Sequence, residues 1–75
     1  MARKRTISPE FFTDEDVGDL APLDRLLFIG LWCQADKAGR LKDKPRTIKA
    51  CCLPFDSGSV DKALQRLADA GFIYR

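Results

Sequence analysis

The sequence predicts a small domain that is mainly α-helical and has a small β-sheet. Its 75 residues are enough for one domain with one core. Three observations predict this fold class. An apolar stretch near the middle of the chain has helical spacing, two shorter helical patterns follow it, and the aromatic and β-branched run after Gly71 is typical of a strand. We expect residues 1–75 to form a single domain whose basic start, residues 1–5, is frayed.

A central helix is predicted from Pro22 to about Ala35. Apolar residues repeat there at the spacing of one helix face, namely Leu23, Leu26, Leu27, Gly30 and Leu31. Further apolar residues extend that surface around the helix, namely Phe28, Ile29, Trp32 and Cys33. A helix that is apolar on most sides must be enclosed on most sides. We therefore expect the rest of the chain to pack around it.

The residues before the central helix predict shorter elements. Residues 3–7 have the length of a short strand, and Ser8 begins a helical turn that carries Phe11 and Phe12 onto the central helix. Thr13 begins a capping box that leads into a second turn ending near Leu20.

The residues after the central helix predict two more helices and a strand. Leu41 is expected in a one- or two-residue bridge. A second helix opens at Pro45 and buries Ile48, Cys51 and Cys52. A third helix, capped by Ser59, runs to Ala70 and buries one stripe: Val60, Ala63, Leu64, Leu67 and Ala68. Gly71 supplies a left-handed stop, and residues 72–75 form a strand.

Charge is unevenly distributed along the chain, although the formal net charge is only +2. Acidic residues crowd the stretch 8–24: Glu10, Asp14, Glu15, Asp16, Asp19 and Asp24. Basic residues dominate the stretch 25–51: Arg25, Lys37, Arg40, Lys42, Lys44, Arg46 and Lys49. This asymmetry indicates a polyanionic partner. The basic start, residues 3–5, is either a solvated tail or a phosphate-binding arm.

Composition argues against an enzyme and against a metal site. The cysteines at 33, 51 and 52 form no Cys-x-x-Cys pair, and the chain has no histidine. It also has no glycine-rich phosphate loop and no nucleophile beside a base. We expect no catalytic residues, no metal and no cofactor. An odd number of cysteines without a signal peptide predicts reduced thiols in the cytoplasm, although Cys51 and Cys52 could form a strained vicinal disulfide.

The predicted order of helix, helix, short turn, helix, glycine and strand is that of a winged helix-turn-helix. It would have a three-helix core with short strands and a wing truncated after its first strand. Several blocks resemble the N-terminal winged-helix domain of phage and prophage replication proteins, the replisome-organiser group related to DnaD-type primosome components. These blocks are residues 7–12, 25–32, 35–41, 54–56 and 70–73. The resemblance covers roughly residues 5–75. It implies a role in origin binding or primosome assembly, in the cytoplasm of a bacterial host.

The first function predicted on this basis is binding of double-stranded DNA. A helix-turn-helix places its last helix in the major groove, while nearby basic residues hold phosphates. The base-facing candidates are Ser59, Lys62, Gln65 and Arg66. The phosphate-binding candidates are Arg3, Lys4, Arg5, Lys42, Lys44, Arg46, Thr47 and Lys49. The third helix has the alternative of an ordinary solvated face, since Asp61 and Asp69 would repel phosphate.

The second predicted function is a protein-interaction or oligomerisation module of a replication complex that does not touch DNA. An exposed strand edge at residues 72–74 would pair either with the N-terminal strand or with a second copy of the chain. Other replication proteins are the alternative partners. Neither function involves a membrane, because the roughly 14-residue central helix is too short to span one.

Overall fold

The structure is a computed structural model that describes residues 4–75. These residues form five α-helices: α1 (Glu10–Thr13), α2 (Glu15–Gly18), α3 (Pro22–Gln34), α4 (Pro45–Cys52) and α5 (Val60–Asp69). Helices α3, α4 and α5 pack against one another in all three pairs, and α1 packs against α2. The three longer helices therefore form the core.

Helix α3 is the predicted central helix, and it begins at Pro22 as expected. Leu27 and Leu31 are buried against α4 and α5. Leu26 was predicted to be buried, but 49% of its surface is exposed. Its place is taken by Asp24, which is only 2% exposed. The buried face of α3 is thus rotated from the predicted one, because α5 supplies a partner for a carboxylate on this face.

Helices α4 and α5 confirm most of the predicted burial. Ile48 is buried and Cys52 is half-buried, whereas Cys51 was wrongly predicted to be inside and is exposed. In α5 the predicted stripe is buried at Val60, Ala63, Leu64 and Leu67. The Ser59 hydroxyl accepts a hydrogen bond from the Lys62 N–H at 3.2 Å, so the predicted N-cap is confirmed.

The predicted fold class is wrong, because residues 4–75 are all-helical and contain no β-strand and therefore no sheet. The strand expected at 72–75, the bridge at Leu41 and residues 4–7 are all irregular. Arg3, the first residue of the expected N-terminal strand, lies outside the described residues. Without a sheet there is no wing in the described part of the chain, so the predicted winged helix-turn-helix is not formed, and the residues before α1 and after α5 are irregular.

The C-terminal residues are anchored by a helix cap and by side chains instead of by strand pairing. The Phe72 N–H donates to the Leu67 carbonyl and the Gly71 N–H to the Ala68 carbonyl, the two bonds of a Schellman motif. Gly71 adopts φ 84°, which confirms the predicted left-handed stop. The Phe72 ring then packs on Phe28, with ring centroids 5.3 Å apart. These contacts hold the tail against α3 across a groove from residues 38–43.

The two short helices lie against the same core through one aromatic ring. Phe11 packs on Phe28 and Trp32 as predicted, with ring centroids 6.4 and 5.3 Å apart. Phe12 was predicted to pack there too, but it is 73% exposed. Helix α2 is capped by Asp14, one residue after the predicted Thr13, and its carboxylate accepts from two backbone N–H groups.

Within residues 4–75, no helix combines the length and the apolar character needed to cross a lipid bilayer.

Candidate nucleic-acid interface

The residues expected to bind phosphate in the middle of the chain form one continuous segment, which we call the basic rim. It consists of Lys42, Lys44, Arg46, Thr47 and Lys49, and it runs from an irregular stretch into the first turns of α4. The first four are exposed, and their side chains make no hydrogen bond or ion pair within residues 4–75. Lys49 is half-buried, and its Nζ donates to the Leu53 carbonyl at 3.4 Å. The rim therefore presents three cations without an internal partner.

Asp43 is the one acid within this segment, and it forms an ion pair with Arg75. The Arg75 Nε lies 2.8 Å from the Asp43 carboxylate, and its Nη2 hydrogen bonds to the Asp61 carboxylate. Nη1 also donates to the side chain of Gln65 at 3.3 Å. These carboxylates raise the pKa of Arg75. One guanidinium is thus shared by two carboxylates, so it offsets only part of the repulsion that Asp43 and Asp61 would exert on a phosphate.

A turn between α3 and the rim sets the path of the chain. The Asp36 carboxylate accepts from the backbone N–H groups of Ala38 and Arg40 at 2.9 and 2.8 Å. Gly39 has φ 77°, which a side chain would strain. The hydrogen bond from the Arg40 N–H lowers the pKa of Asp36. Arg40 also forms an ion pair with Asp36 at 3.4 Å, so its charge is partly satisfied within the turn.

The N-terminal candidates do not join the rim as a group. Arg3 lies outside the described residues, and Lys4 is exposed. Arg5 donates to the carbonyls of Trp32 and Ala35 at 2.9 and 3.0 Å. Arg5 therefore secures the start of the chain to the end of α3, and its guanidinium is already engaged.

Three of the four base-facing candidates on α5 are engaged in internal hydrogen bonds. Ser59 caps the helix, and the Gln65 amide donates to Asp69 at 2.9 Å besides accepting from Arg75. Lys62 is exposed, and its side chain has no partner within the described part of the chain. The face thus retains one uncommitted cation, which weakens the expected reading of bases by α5.

Arg66, the fourth candidate, holds a buried acid. Its Nε and Nη2 donate to the two carboxylate oxygens of Asp24, both at 2.8 Å. Hydrogen bonding to Asp24 raises the pKa of Arg66. The sequence interpretation missed this pair, although Asp24 stands three and seven residues before Leu27 and Leu31 on one helix face. A carboxylate at that register predicts a cationic partner.

The three cysteines are free thiols. Burial raises the pKa of Cys52 to about 11, with smaller contributions from Cys51 and Cys33. In residues 4–75, no group of three or more His, Cys, Asp or Glu side chains is arranged to hold a metal ion.

Comparison with known proteins adds no relative to this picture. No family model matches the chain, and no curated protein and no solved structure matches it significantly.

Proposed function

We propose that this chain is a double-stranded DNA-binding domain that contacts the phosphate backbone through the basic rim. The observation that supports this function is a set of three exposed cations, Lys42, Lys44 and Arg46, whose side chains have no partner within residues 4–75, in a segment whose single acid is paired with Arg75. Such contacts fix position on the duplex but carry no sequence information. Because Arg66 and Gln65 are engaged internally, we propose binding with little base selectivity.

The wider role is proposed from the sequence resemblance alone. The chain would serve a phage-type replication initiation or primosome-assembly protein in the cytoplasm of a bacterial host. In that setting the rim would hold duplex DNA while other parts of the assembly select the site.

Salt dependence tests the DNA-binding proposal. Three phosphate contacts predict a slope of about −2.7 for log affinity against log salt, so binding to a random duplex should weaken about 40-fold between about 50 and 200 mM salt. The measurement is fluorescence anisotropy with a labelled duplex. An affinity that does not change with salt, or no binding at about 50 mM, would contradict the proposal.

A matched pair of arginine variants locates the contact. Arg46→Gln removes a rim cation and should reduce the salt slope by about 0.9. Arg25→Gln removes the same charge from α3, outside the rim, and should leave the slope unchanged. Equal effects of the two variants would mean that general charge, and not the rim, governs binding.

A protein-interaction module is the second candidate function. It is favoured by two apolar surface features, the groove beside residues 72–75 and the exposed ring of Phe12. A chain with this function alone would bind no duplex at moderate salt, but the mean mass of its complexes in solution would rise with concentration.

A further inference from the structure

An apolar groove opens between residues 38–43 and residues 72–75. Its volume is about 610 Å³, within the range of about 300–1,000 Å³ for clefts that hold small ligands. Phe28 and Trp32 of α3 line it, with Leu41 on one side and Ile73 on the other. Leu41 remains 40% exposed. The groove can therefore accept an apolar side chain and remove it from water.

The edge of the groove is positively charged. Arg40 and Lys42 both contribute to its lining. Arg40 shares its charge with Asp36, whereas Lys42 has no side-chain partner within residues 4–75. The acid at the edge, Asp43, is paired with Arg75. An occupant with carboxylates beside its apolar group would suit this edge best.

The chain itself carries a segment of that chemistry in its two short helices, which we call the acidic turn (residues 10–19). Phe12 is 73% exposed there, and its recorded ring contact is edge-to-face with Phe11 at 5.4 Å. The carboxylates of Glu15, Asp16 and Asp19 follow within seven residues, and all three residues are exposed. Aromatic rings, Phe included, are enriched at protein interfaces, whose cores are surrounded by a polar rim.

We propose that the groove of one copy binds Phe12 and the acidic turn of a second copy of this chain. The two surfaces differ, so the contact is complementary instead of self-matching. Repeating it gives a closed ring or dimer where the geometry closes, and a longer chain of copies where it does not. The aromatic ring would contact the apolar lining, while Lys42 would lie among the carboxylates. This inference does not rest on the proposed function, although Lys42 also belongs to the basic rim, so self-association and duplex DNA would compete for that cation.

Analytical ultracentrifugation tests the inference on the whole chain, from about 10 µM to about 1 mM, the span in which weak complexes dissociate. The mean mass should rise above 8.4 kDa with concentration, and less so at about 0.5 M salt. Phe12→Ser should weaken association about tenfold or more, because burial of a phenyl ring is lost. Phe55→Ser removes a ring that is 98% exposed and does not line the groove, so it should have no effect.

Complementation distinguishes this contact from unspecific association. Leu41→Glu places a carboxylate in the groove, so this variant should not self-associate, and neither should Phe12→Ser. A mixture of the two should associate, because one supplies an intact groove and the other an intact acidic turn. Circular dichroism establishes that each variant is folded. A chain that stays monomeric up to about 1 mM, equal effects of Phe12→Ser and Phe55→Ser, or an inert mixture of folded variants would overturn the proposal.

Discussion

Replacing Gly30 with alanine tests the closest approach between α3 and α4. A Cβ at this position would lie 2.8 Å from the Cβ of Cys52, 2.9 Å from its Sγ and 3.3 Å from its Cα. Carbon atoms in contact prefer a separation of about 3.5–4.0 Å. The two helices would have to move apart by roughly 1 Å, because two of the three neighbouring atoms cannot rotate away. Overpacking of this kind costs about 1–3 kcal/mol of folding free energy.

The comparison is sharpest against Gly18→Ala, since no atom lies within 4 Å of a Cβ at that position. Gly30 lies inside α3, so its substitution gains up to about 1 kcal/mol of helix propensity, whereas Gly18 is the last residue of α2 and gains less. The steric cost of about 1–3 kcal/mol is therefore partly offset, and Gly30→Ala should be less stable than Gly18→Ala by about 0.5–2 kcal/mol. For a domain of this size each kcal/mol lowers the melting temperature by about 4–8 °C.

Thermal and urea unfolding followed by circular dichroism measure this difference. In a Cys52→Gly background the neighbouring Cβ and Sγ are absent, so the penalty for Gly30→Ala should shrink in a double-mutant cycle. If Gly30→Ala were as stable as Gly18→Ala, or if its penalty were unchanged in the Cys52→Gly background, the described crossing of α3 and α4 would be wrong.

Three further predictions follow from the polar contacts and the thiols. Arg66→Ala should lower the urea midpoint of unfolding, because it leaves the buried carboxylate of Asp24 without a partner. Adding Asp24→Asn should recover part of this loss of stability. An unchanged midpoint in Arg66→Ala would contradict the role of Arg66 as the partner of Asp24. Because the pKa of Asp36 is lowered in the folded chain, its carboxylate stabilises the turn at pH values above the ordinary pKa of 3.8. This stabilisation should be lost as the pH falls through the lower pKa of the folded chain, and backbone amide exchange in the turn should become faster relative to the unfolded chain. An Asp36→Asn chain should show no such step. Cys51 should be alkylated well before Cys52 at pH 8, because Cys51 is exposed while the pKa of Cys52 is about 11. Mass spectrometry of the labelled peptide measures the two rates. Equal rates would contradict the burial of Cys52.

Local signals in the sequence predicted the helices well. Pro22, Pro45 and Ser59 mark helix starts, and Gly71 marks a stop, because each acts on its own backbone neighbours. Such short-range effects are independent of how the rest of the chain is arranged.

The misjudged features depend on contacts distant in sequence. A strand at residues 72–75 needed a neighbouring backbone, but Arg75 is tied by its side chain to residues far along the chain. The exposure of Leu26 follows from the burial of Asp24, which in turn depends on Arg66, 42 residues away. Periodicity alone does not contain that partner.

Only part of the candidate interface could be predicted, because the internal partners of its residues also lie far away in the sequence. The run of basic residues is visible in the sequence, and Lys42, Lys44 and Arg46 are exposed, as phosphate-binding candidates must be. The internal roles of Arg5 and Arg66 could not be read from composition, because a solvated cation and a cation that pairs with a carbonyl or carboxylate look alike in sequence.

The most direct test of the account is a titration of the ¹⁵N-labelled chain with a random duplex, followed by amide chemical shifts. Binding through the basic rim predicts that the largest shifts fall on residues 42–49, with small changes over residues 62–66 of α5. Shifts concentrated on α5, or an unchanged spectrum at low salt, would contradict the assignment of the rim as the DNA-binding surface.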